Sequence, residues 1–164
     1  MTPEIERLGI YDYRVGSDWD HYFLEMVKLV ASKSRDPSTK CGAVIVSQDH
    51  SVLSTGYNGF PRGVNYTEER LERPLKYEFI EHGERNAILN AARHGVALAG
   101  TKMYLNFRPE CCTDCTKAVI QSGITEVIGP NIPFPGNKDK WKIGPNIEMM
   151  QEAGVILTVI EDNV

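Results

Sequence analysis

The chain has 164 residues, the ordinary length of one domain, which is enough to bury a substantial core. Its 18 lysines and arginines are outnumbered by 22 aspartates and glutamates, and the resulting net charge of −4 argues against binding to long nucleic acids. No apolar run approaches the roughly 20 residues that a membrane helix needs, and residues 1–13 lack the apolar core of a signal peptide. We therefore expect a cytoplasmic protein that binds neither nucleic acid nor membranes.

The hydrophobic pattern predicts helices and strands that alternate along the chain. It begins with an amphipathic helix at 18–34, a hairpin of strands at 42–47 and 52–57, and a long irregular stretch at 58–76. Helices are then expected at 82–93, 112–121 and 146–153, strands at 102–106, 124–128 and 155–160, and a loop rich in glycine and proline at 129–136. This order predicts a single domain over residues 1–164, with a three-layer α/β/α fold and a mixed central sheet of about five strands.

Three of the four cysteines, Cys111, Cys112 and Cys115, lie within five positions of one another. Neighbours this close pair poorly as disulfides, and clustered thiols in a reducing compartment more often hold a metal or take part in chemistry. The remaining cysteine, Cys41, is expected to be a buried thiol at a strand edge. The cysteine cluster therefore directs attention to a histidine that could share a metal with it.

Two short motifs fall at the starts of two successive predicted helices: His82-Gly83-Glu84 and Cys112-Thr113-Asp114-Cys115. Helix starts present unpaired N–H groups and the positive end of the helix dipole, which favour thiolates. One imidazole and two thiolates give Zn²⁺ three protein ligands and leave a fourth position open for water, as in catalytic sites. Glu84 is placed to act on that water without being a ligand.

A structural zinc site is the alternative interpretation of the same residues. Cys111 could join His82, Cys112 and Cys115 and close a tetrahedron of four protein ligands, which would leave the site inert. That alternative leaves Glu84 and the helix-start position of both motifs unexplained. A non-catalytic, zinc-stabilised binding module likewise would not need Glu84.

Four stretches of the chain carry a more specific pattern: DPSTKCGAVIV at 36–46, GYNGFPRG at 56–63, EHGERNAI at 81–88 and CTKAVIQSGI at 115–124. With its H-x-E and C-x-x-C motifs, the chain resembles the deoxycytidylate deaminases of the zinc-dependent cytidine/deoxycytidylate deaminase family over most of residues 18–160. The GYNGFPRG stretch is the specific part, since related tRNA adenosine, guanine and cytidine deaminases usually lack it.

The resemblance implies a cytidine deaminase-like fold and the zinc-dependent hydrolysis of dCMP to dUMP and ammonia, which supplies dUMP for thymidylate synthesis. It makes His82, Cys112 and Cys115 the zinc ligands and Glu84 the catalytic proton shuttle. It also implies substrate-binding residues: Asn58 for the deoxyribose, the Gly83 amide for the base, and Arg35, with Lys40 as second candidate, for the 5′-phosphate. A turn-stabilising role for Asn58 and a solvated surface charge at Arg35 stay open.

Family members are often regulated by dCTP and dTTP and assemble as homo-oligomers such as hexamers. The resemblance makes Arg62 and Arg93 candidates for regulatory contacts, although a solvated helix face explains Arg93 equally well. Two positions depart from the family pattern. Gly83 replaces an alanine, which is expected to make the pocket slightly roomier and to admit a modified cytosine, and Cys111 replaces a proline.

Rival substrates within the same enzyme class are cytidine, modified dCMP, guanine and tRNA adenosine. A tRNA substrate would favour a basic surface that neutralises phosphates, whereas the sequence pI is about 5.6. A free base would require neither Arg35 nor Asn58. The sequence therefore favours a small nucleotide as the partner.

Overall fold

The computed structural model describes residues 9–132 and 144–162, and these residues form one mixed sheet of six strands with helices on both faces. The strands are β1 (Tyr11–Arg14), β2 (Gly42–Val46), β3 (Val52–Tyr57), β4 (Lys102–Leu105), β5 (Glu126–Pro130) and β6 (Ile156–Ile160). The helices are α1 (Asp18–Ala31), α2 (Lys76–Phe79), α3 (Gly83–Arg93), α4 (Thr113–Ser122) and α5 (Pro145–Ala153), with a short 3₁₀ turn at Glu69–Leu71. The predicted α/β class with a mixed sheet is confirmed.

The strands lie in the order β1-β6-β5-β4-β2-β3. Strands β4, β5, β6 and β1 run parallel, whereas β2 is antiparallel to both β3 and β4. The β2–β3 pair is the predicted hairpin. Helix α3 precedes β4 in the chain and helix α4 follows it. The two helices contact each other, and their N-termini lie close together on one side of the sheet.

The sheet has six strands where about five were expected, because the sequence pattern does not indicate β1. This short edge strand pairs with β6 and contains no fully buried residue, so it lacks the apolar alternation that marks a strand. It is held instead by polar contacts of its tyrosines: the Tyr11 hydroxyl donates to Glu110 at 3.0 Å and Arg108 donates to the Tyr13 hydroxyl at 3.3 Å.

Some element boundaries also differ from the predicted ones. Helix α1 ends at Ala31 rather than at residue 34, and β5 begins at Glu126 and continues to Pro130, two residues beyond the predicted end. Residues 133–136 of the predicted glycine- and proline-rich loop lie outside the described residues. Among the helices described, none is long and apolar enough to cross a lipid bilayer.

Two hydrophobic clusters pack on opposite faces of the sheet and make the fold three-layered. On one face, α1 contributes Phe23, Leu24 and Val27, which pack against sheet residues such as Val44 and Tyr104. On the other face, α3, α4 and α5 cover the sheet with Ala87, Ala91, Cys115, Val119, Ile147 and Met150. Helices α3 and α4, which begin at the two predicted metal-ligand motifs, therefore pack against the same face of the sheet.

Asp20 joins the start of α1 to the sheet. Ser17 caps the helix, and its backbone N–H and hydroxyl each donate to the Asp20 carboxylate at 2.8 Å. The Tyr104 hydroxyl of β4 donates to the same carboxylate at 2.8 Å, and Arg14 forms an ion pair with it. Burial opposes ionisation of Asp20, but the hydrogen bonds from Arg14, Ser17 and Tyr104 outweigh it and lower its pKa to about 2.

We expect the stability of the fold to depend on this carboxylate at acid pH. The Asp20 pKa of about 2, against an ordinary value of 3.8, corresponds to about 2 kcal/mol of stability. Because the folded pKa is the lower one, this contribution is present above about pH 4 and is lost as the pH falls toward 2. Urea unfolding should show Asp20→Asn to be less stable by at least about that amount at pH 7, with the difference narrowing below pH 4.

Asp12→Asn is the matched control, since Asp12 also pairs with Arg14, at 3.5 Å, but its side chain is 52% exposed. Exposed pairs contribute less than about 1 kcal/mol, so this variant should unfold almost as the unmodified protein does. If Asp20→Asn lowers the free energy of unfolding by the same amount at pH 7 and at pH 3, the Asp20 charge does not have this role.

Candidate active site

The predicted metal-ligand motifs lie at the N-termini of two adjacent helices. His82 is the N-cap residue of α3, and Cys112 is the N-cap residue of α4. The Sγ atom of Cys112 accepts a hydrogen bond from the Cys115 N–H at 3.4 Å, in the manner of a capping oxygen. The cap conformation therefore turns the Cys112 sulfur back over the first turn of α4, toward Cys115.

His82, Cys112 and Cys115 come together in space. The Nδ1 atom of His82 lies 3.4 Å from the Sγ atom of each cysteine, and the three ligand atoms lie within 4.8 Å of one another. Around tetrahedral Zn²⁺, bonds of about 2.0 Å to nitrogen and about 2.3 Å to sulfur place these atoms about 3.5 Å apart. The spacing of this donor set fits zinc.

The electrostatics of the cluster favour a thiolate at Cys112 and protonated forms of its two neighbours. Hydrogen bonds from the Cys115 thiol, from His82 and from the Cys115 backbone lower the pKa of Cys112 to about 4. The same thiol–thiolate contact and burial raise the pKa of Cys115. The hydrogen bond with Cys112 raises the pKa of His82. The lowered pKa favours the thiolate form of Cys112, and metal binding would release the protons that Cys115 and His82 retain.

Cys111 lies outside this cluster. Its side chain is buried, and its thiol is directed at the backbone oxygen of Pro109 at 3.6 Å. Its own backbone oxygen accepts hydrogen bonds from Thr116 and from Asn146. The structure thus brings together the three predicted ligands and gives no support to the four-ligand alternative.

Glu84 lies in the first turn of α3, two residues after His82, and is partly buried. Desolvation raises the pKa of its carboxyl, while the His82 imidazole acts in the opposite direction. The charge of the carboxyl also raises the pKa of Cys115, and Glu84 is not one of the three clustered ligand residues. This is the arrangement predicted for a group that serves a metal-site water.

Strand β3 fixes the position of α3 through very close packing. A Cβ atom on Gly56 would lie 2.2 Å from the Ala87 backbone nitrogen, so only glycine allows this approach. Asn86 and Asn90 of α3 donate to the backbone oxygens of Tyr57 and Thr55 at 2.8 and 2.7 Å. Sequence reasoning missed these two asparagines, although Asn86 lies inside the EHGERNAI stretch.

Gly83 does not widen the site in the expected way. A Cβ atom there would lie 3.2 Å from the backbone oxygen of Cys41 and 3.5 Å from the backbone nitrogen of Asn58. The methyl group that this chain lacks would press on the main chain rather than enter open space. Glycine at this position therefore permits α3 to pack closely against the segments that contain Cys41 and Asn58.

Asn58 is buried, with 6% of its surface exposed, and it stabilises the surrounding turn. Its side-chain oxygen accepts from the Cys41 N–H at 2.8 Å, and its side-chain nitrogen donates to the Thr39 backbone oxygen at 2.9 Å. Its backbone nitrogen donates to the Cys41 oxygen at 3.1 Å. These contacts confirm the turn-stabilising interpretation, and a contact with deoxyribose stays a prediction.

The two phosphate candidates lie on the loop that Asn58 holds. Arg35 is exposed, and its guanidinium carbon lies 3.6 Å from the centre of the Tyr66 ring. The Tyr66 hydroxyl donates to the Arg35 backbone oxygen at 3.1 Å, so the arginine is held at both ends. Lys40 is exposed, and its backbone oxygen accepts from Asn106 at 2.9 Å. Phosphate binding by either residue stays a prediction.

The two regulatory candidates lie at the outer side of α3. Arg62 is exposed and donates to the Asn90 side chain at 2.8 Å. Arg93 is exposed in the last turn of α3. A solvated helix face is a sufficient explanation for Arg93, and a regulatory contact at either residue stays a prediction.

A carboxylate beside a three-ligand His–Cys–Cys centre, with both motifs at helix starts, defines the class of zinc-dependent nucleobase deaminases. Residues 17–129 match the family model of the cytidine and deoxycytidylate deaminase zinc-binding region. The chain belongs to this family.

Relatives support the same assignment. An uncharacterized deaminase of Aliivibrio fischeri is 38% identical over 87% of this chain and 93% of its own length. The deoxycytidylate deaminase of Enterobacteria phage T4 is 30% identical over 80% of this chain and 84% of its own length. The mouse deoxycytidylate deaminase is 36% identical over 68% of this chain, and the match spans 64% of the mouse protein.

A solved structure shares the fold. The dCMP deaminase of the cyanophage S-TIM5, determined with dCMP and dUMP, superposes with a TM-score of 0.67 over 98% of this chain and 99% of its own. At 24% sequence identity, this likeness supports the cytidine deaminase-like fold predicted from the sequence.

Proposed function

We propose that the protein hydrolyses the 4-amino group of dCMP and releases dUMP and ammonia. The observation that carries this proposal is the convergence of His82, Cys112 and Cys115, with ligand atoms within 4.8 Å, beside the partly buried Glu84 carboxyl. The GYNGFPRG stretch and the relatives named deoxycytidylate deaminases support the choice of substrate.

The ligand cluster and Glu84 have distinct parts in this reaction. When bound by His82, Cys112 and Cys115, zinc supplies a Lewis acid that lowers the pKa of a water molecule to about 7. Glu84 accepts a proton as the water oxygen adds to C4 of cytosine, and it delivers a proton to N3. Glu84 then takes the second proton from the new C4 hydroxyl and passes it to the departing amino group, so that the C–N bond breaks, ammonia leaves and the C4 carbonyl of dUMP forms.

The remaining predicted residues would bind the substrate. The Gly83 N–H, at the start of α3, is available to the base carbonyl because the first N–H groups of a helix have no partner within the helix. Asn58 would contact the deoxyribose, and Arg35, with Lys40 as the second candidate, would pair with the 5′-phosphate. These roles use residues on two segments that pack against each other at Cys41 and Gly83.

A substrate panel tests the proposal against its rivals. We expect ammonia release from dCMP to exceed release from deoxycytidine, cytidine, cytosine, guanine and tRNA adenosine at equal enzyme and zinc. Equal turnover of deoxycytidine and dCMP would show that the phosphate is not recognised. Zinc binding without turnover of any compound would favour a non-catalytic binding module.

Arg35→Ala should raise the KM for dCMP about tenfold or more, because a charge-assisted contact with phosphate is worth about 1.5–3 kcal/mol. Residual turnover of deoxycytidine, which has no phosphate, should be nearly unchanged. Arg73→Ala is the matched control, since Arg73 is also an exposed arginine near a tyrosine ring, with its guanidinium carbon 6.0 Å from the centre of the Tyr77 ring. If Arg35→Ala impairs the turnover of dCMP and of deoxycytidine equally, Arg35 does not bind the phosphate.

We further propose that residues 1–164 act as one deaminase domain in the cytoplasm. All four cysteines are free thiols, which supports a reducing compartment.

A homo-oligomer, such as a hexamer, and regulation by dCTP or dTTP through Arg62 and Arg93 are expectations from the family. Sedimentation with and without each nucleotide, together with dCMP saturation curves, tests both.

A further inference from the structure

A buried ion pair outside the metal cluster links two segments of the site. Lys76, the first residue of α2, has 6% of its surface exposed, and Asp36 has 4%. The Lys76 Nζ atom lies 2.8 Å from one carboxylate oxygen of Asp36 and 2.7 Å from the other. The pair joins the segment before His82 to the loop between α1 and β2, and neither residue belongs to the predicted metal-ligand motifs.

Asp36 organises the loop to which it belongs. Its Oδ1 atom accepts hydrogen bonds from the backbone N–H groups of Ser38 at 2.8 Å and Thr39 at 3.2 Å. Its own N–H donates to the Ser34 hydroxyl, which in turn donates to the backbone oxygen of Asn58 at 2.8 Å. The Asp36 carboxylate therefore sets the course of the main chain between Arg35 and Lys40.

The same carboxylate reaches Asn58. The Asn58 side-chain nitrogen lies 3.4 Å from Asp36 Oδ2 and donates to the Thr39 oxygen at 2.9 Å. Lys76, Asp36 and Asn58 thus form a continuous chain of contacts. This chain ends at the residue predicted to contact the sugar and passes through the loop that carries the phosphate candidates.

Burial of an ion pair requires the removal of both charges from water, and well-packed apolar residues usually stabilise a fold equally well. We propose that Lys76 is a positioning residue for the nucleotide: through Asp36 it holds Asn58 and the loop of residues 34–41 in the conformation that binds sugar and phosphate. This inference rests on the proposed function. It predicts a defect in nucleotide binding rather than in the chemical step.

The test is Lys76→Met, which keeps the length of the side chain and removes its charge. We expect the KM for dCMP and the dissociation constant for dUMP, measured by calorimetry, to rise about tenfold or more. The kcat should stay within about threefold of the unmodified value, and zinc content should stay at about one per chain, since the metal cluster and Glu84 are untouched. Asp36→Asn removes the other charge with little change in shape and should give the same pattern.

Lys28→Met is the matched control, because Lys28 also forms an ion pair, with Glu25 at 2.7 Å, but is 45% exposed on α1. A folded Lys76→Met variant with unchanged KM and unchanged dUMP binding would overturn the inference and leave the proposed function intact, as would an equal loss of kcat and zinc. If Lys76→Met does not fold, Asp36→Asn decides by the same criteria. Absence of dCMP turnover by the unmodified protein would overturn the proposed function and this inference with it.

Discussion

Glu84→Gln should lower the rate of dCMP deamination by at least about 10²-fold, because an amide cannot carry the proton that the reaction moves from water to the base and to the leaving amine. Glutamine is nearly the same size, and Glu84 is not one of the three clustered ligand atoms. Zinc content and the midpoint of thermal unfolding should therefore stay close to those of the unmodified protein. Steady-state ammonia release and metal analysis of the same preparation provide the measurement.

The matched control for this prediction is Glu78→Gln, which removes an exposed carboxylate on α2. Its activity should be unchanged. A Glu84→Gln variant that retains more than about a tenth of the activity would exclude Glu84 as the proton shuttle. If Glu84→Gln instead lost its zinc, the residue would belong to the metal site.

Cys112→Ala should lose both stoichiometric zinc and deaminase activity, since two protein ligands hold zinc far more weakly than three. The unmodified protein should bind about one zinc per chain. Because a metal that binds only the folded state stabilises it, added zinc should raise the unfolding temperature of the unmodified protein and not that of Cys112→Ala. Substitution with Co²⁺ offers a second readout, the charge-transfer absorption of thiolate ligands.

Cys111→Ala is the informative control, because this cysteine is adjacent in sequence but its thiol is directed at the Pro109 oxygen. It should retain zinc, the Co²⁺ spectrum and activity, with some loss of stability from the small cavity left in the core. Loss of zinc in Cys111→Ala with retention in Cys112→Ala would reverse the ligand assignment. Loss of zinc in both variants would favour the structural site with four protein ligands.

Much of the fold could be predicted because its core elements carry strong local signals. Helix α1 has a capping residue and an apolar face, and β2 is a β-branched run that the structure buries completely. Strand β1 was missed because it is held by pairing with β6 and by the polar contacts of Tyr11 and Tyr13, which depend on residues far away in the chain. The end of β5 was missed for a related reason: Gly129 and Pro130 have low strand propensity, and pairing with β6 extends the strand through them.

For the site, the sequence by itself determined the chemistry, and the tertiary structure decided the arrangement. The residue types and short spacings of the His82–Glu84 and Cys112–Cys115 motifs are local, and one helix turn fixes each of them. The main-chain contact of Gly83 with Cys41 joins segments 42 residues apart in the chain, and the pair of Lys76 with Asp36 joins segments 40 residues apart. The backbone oxygen of Cys111 is held by Asn146, 35 residues further on. Such contacts are set by how β2, β3 and α3 pack together, and no periodicity within a single segment records that packing.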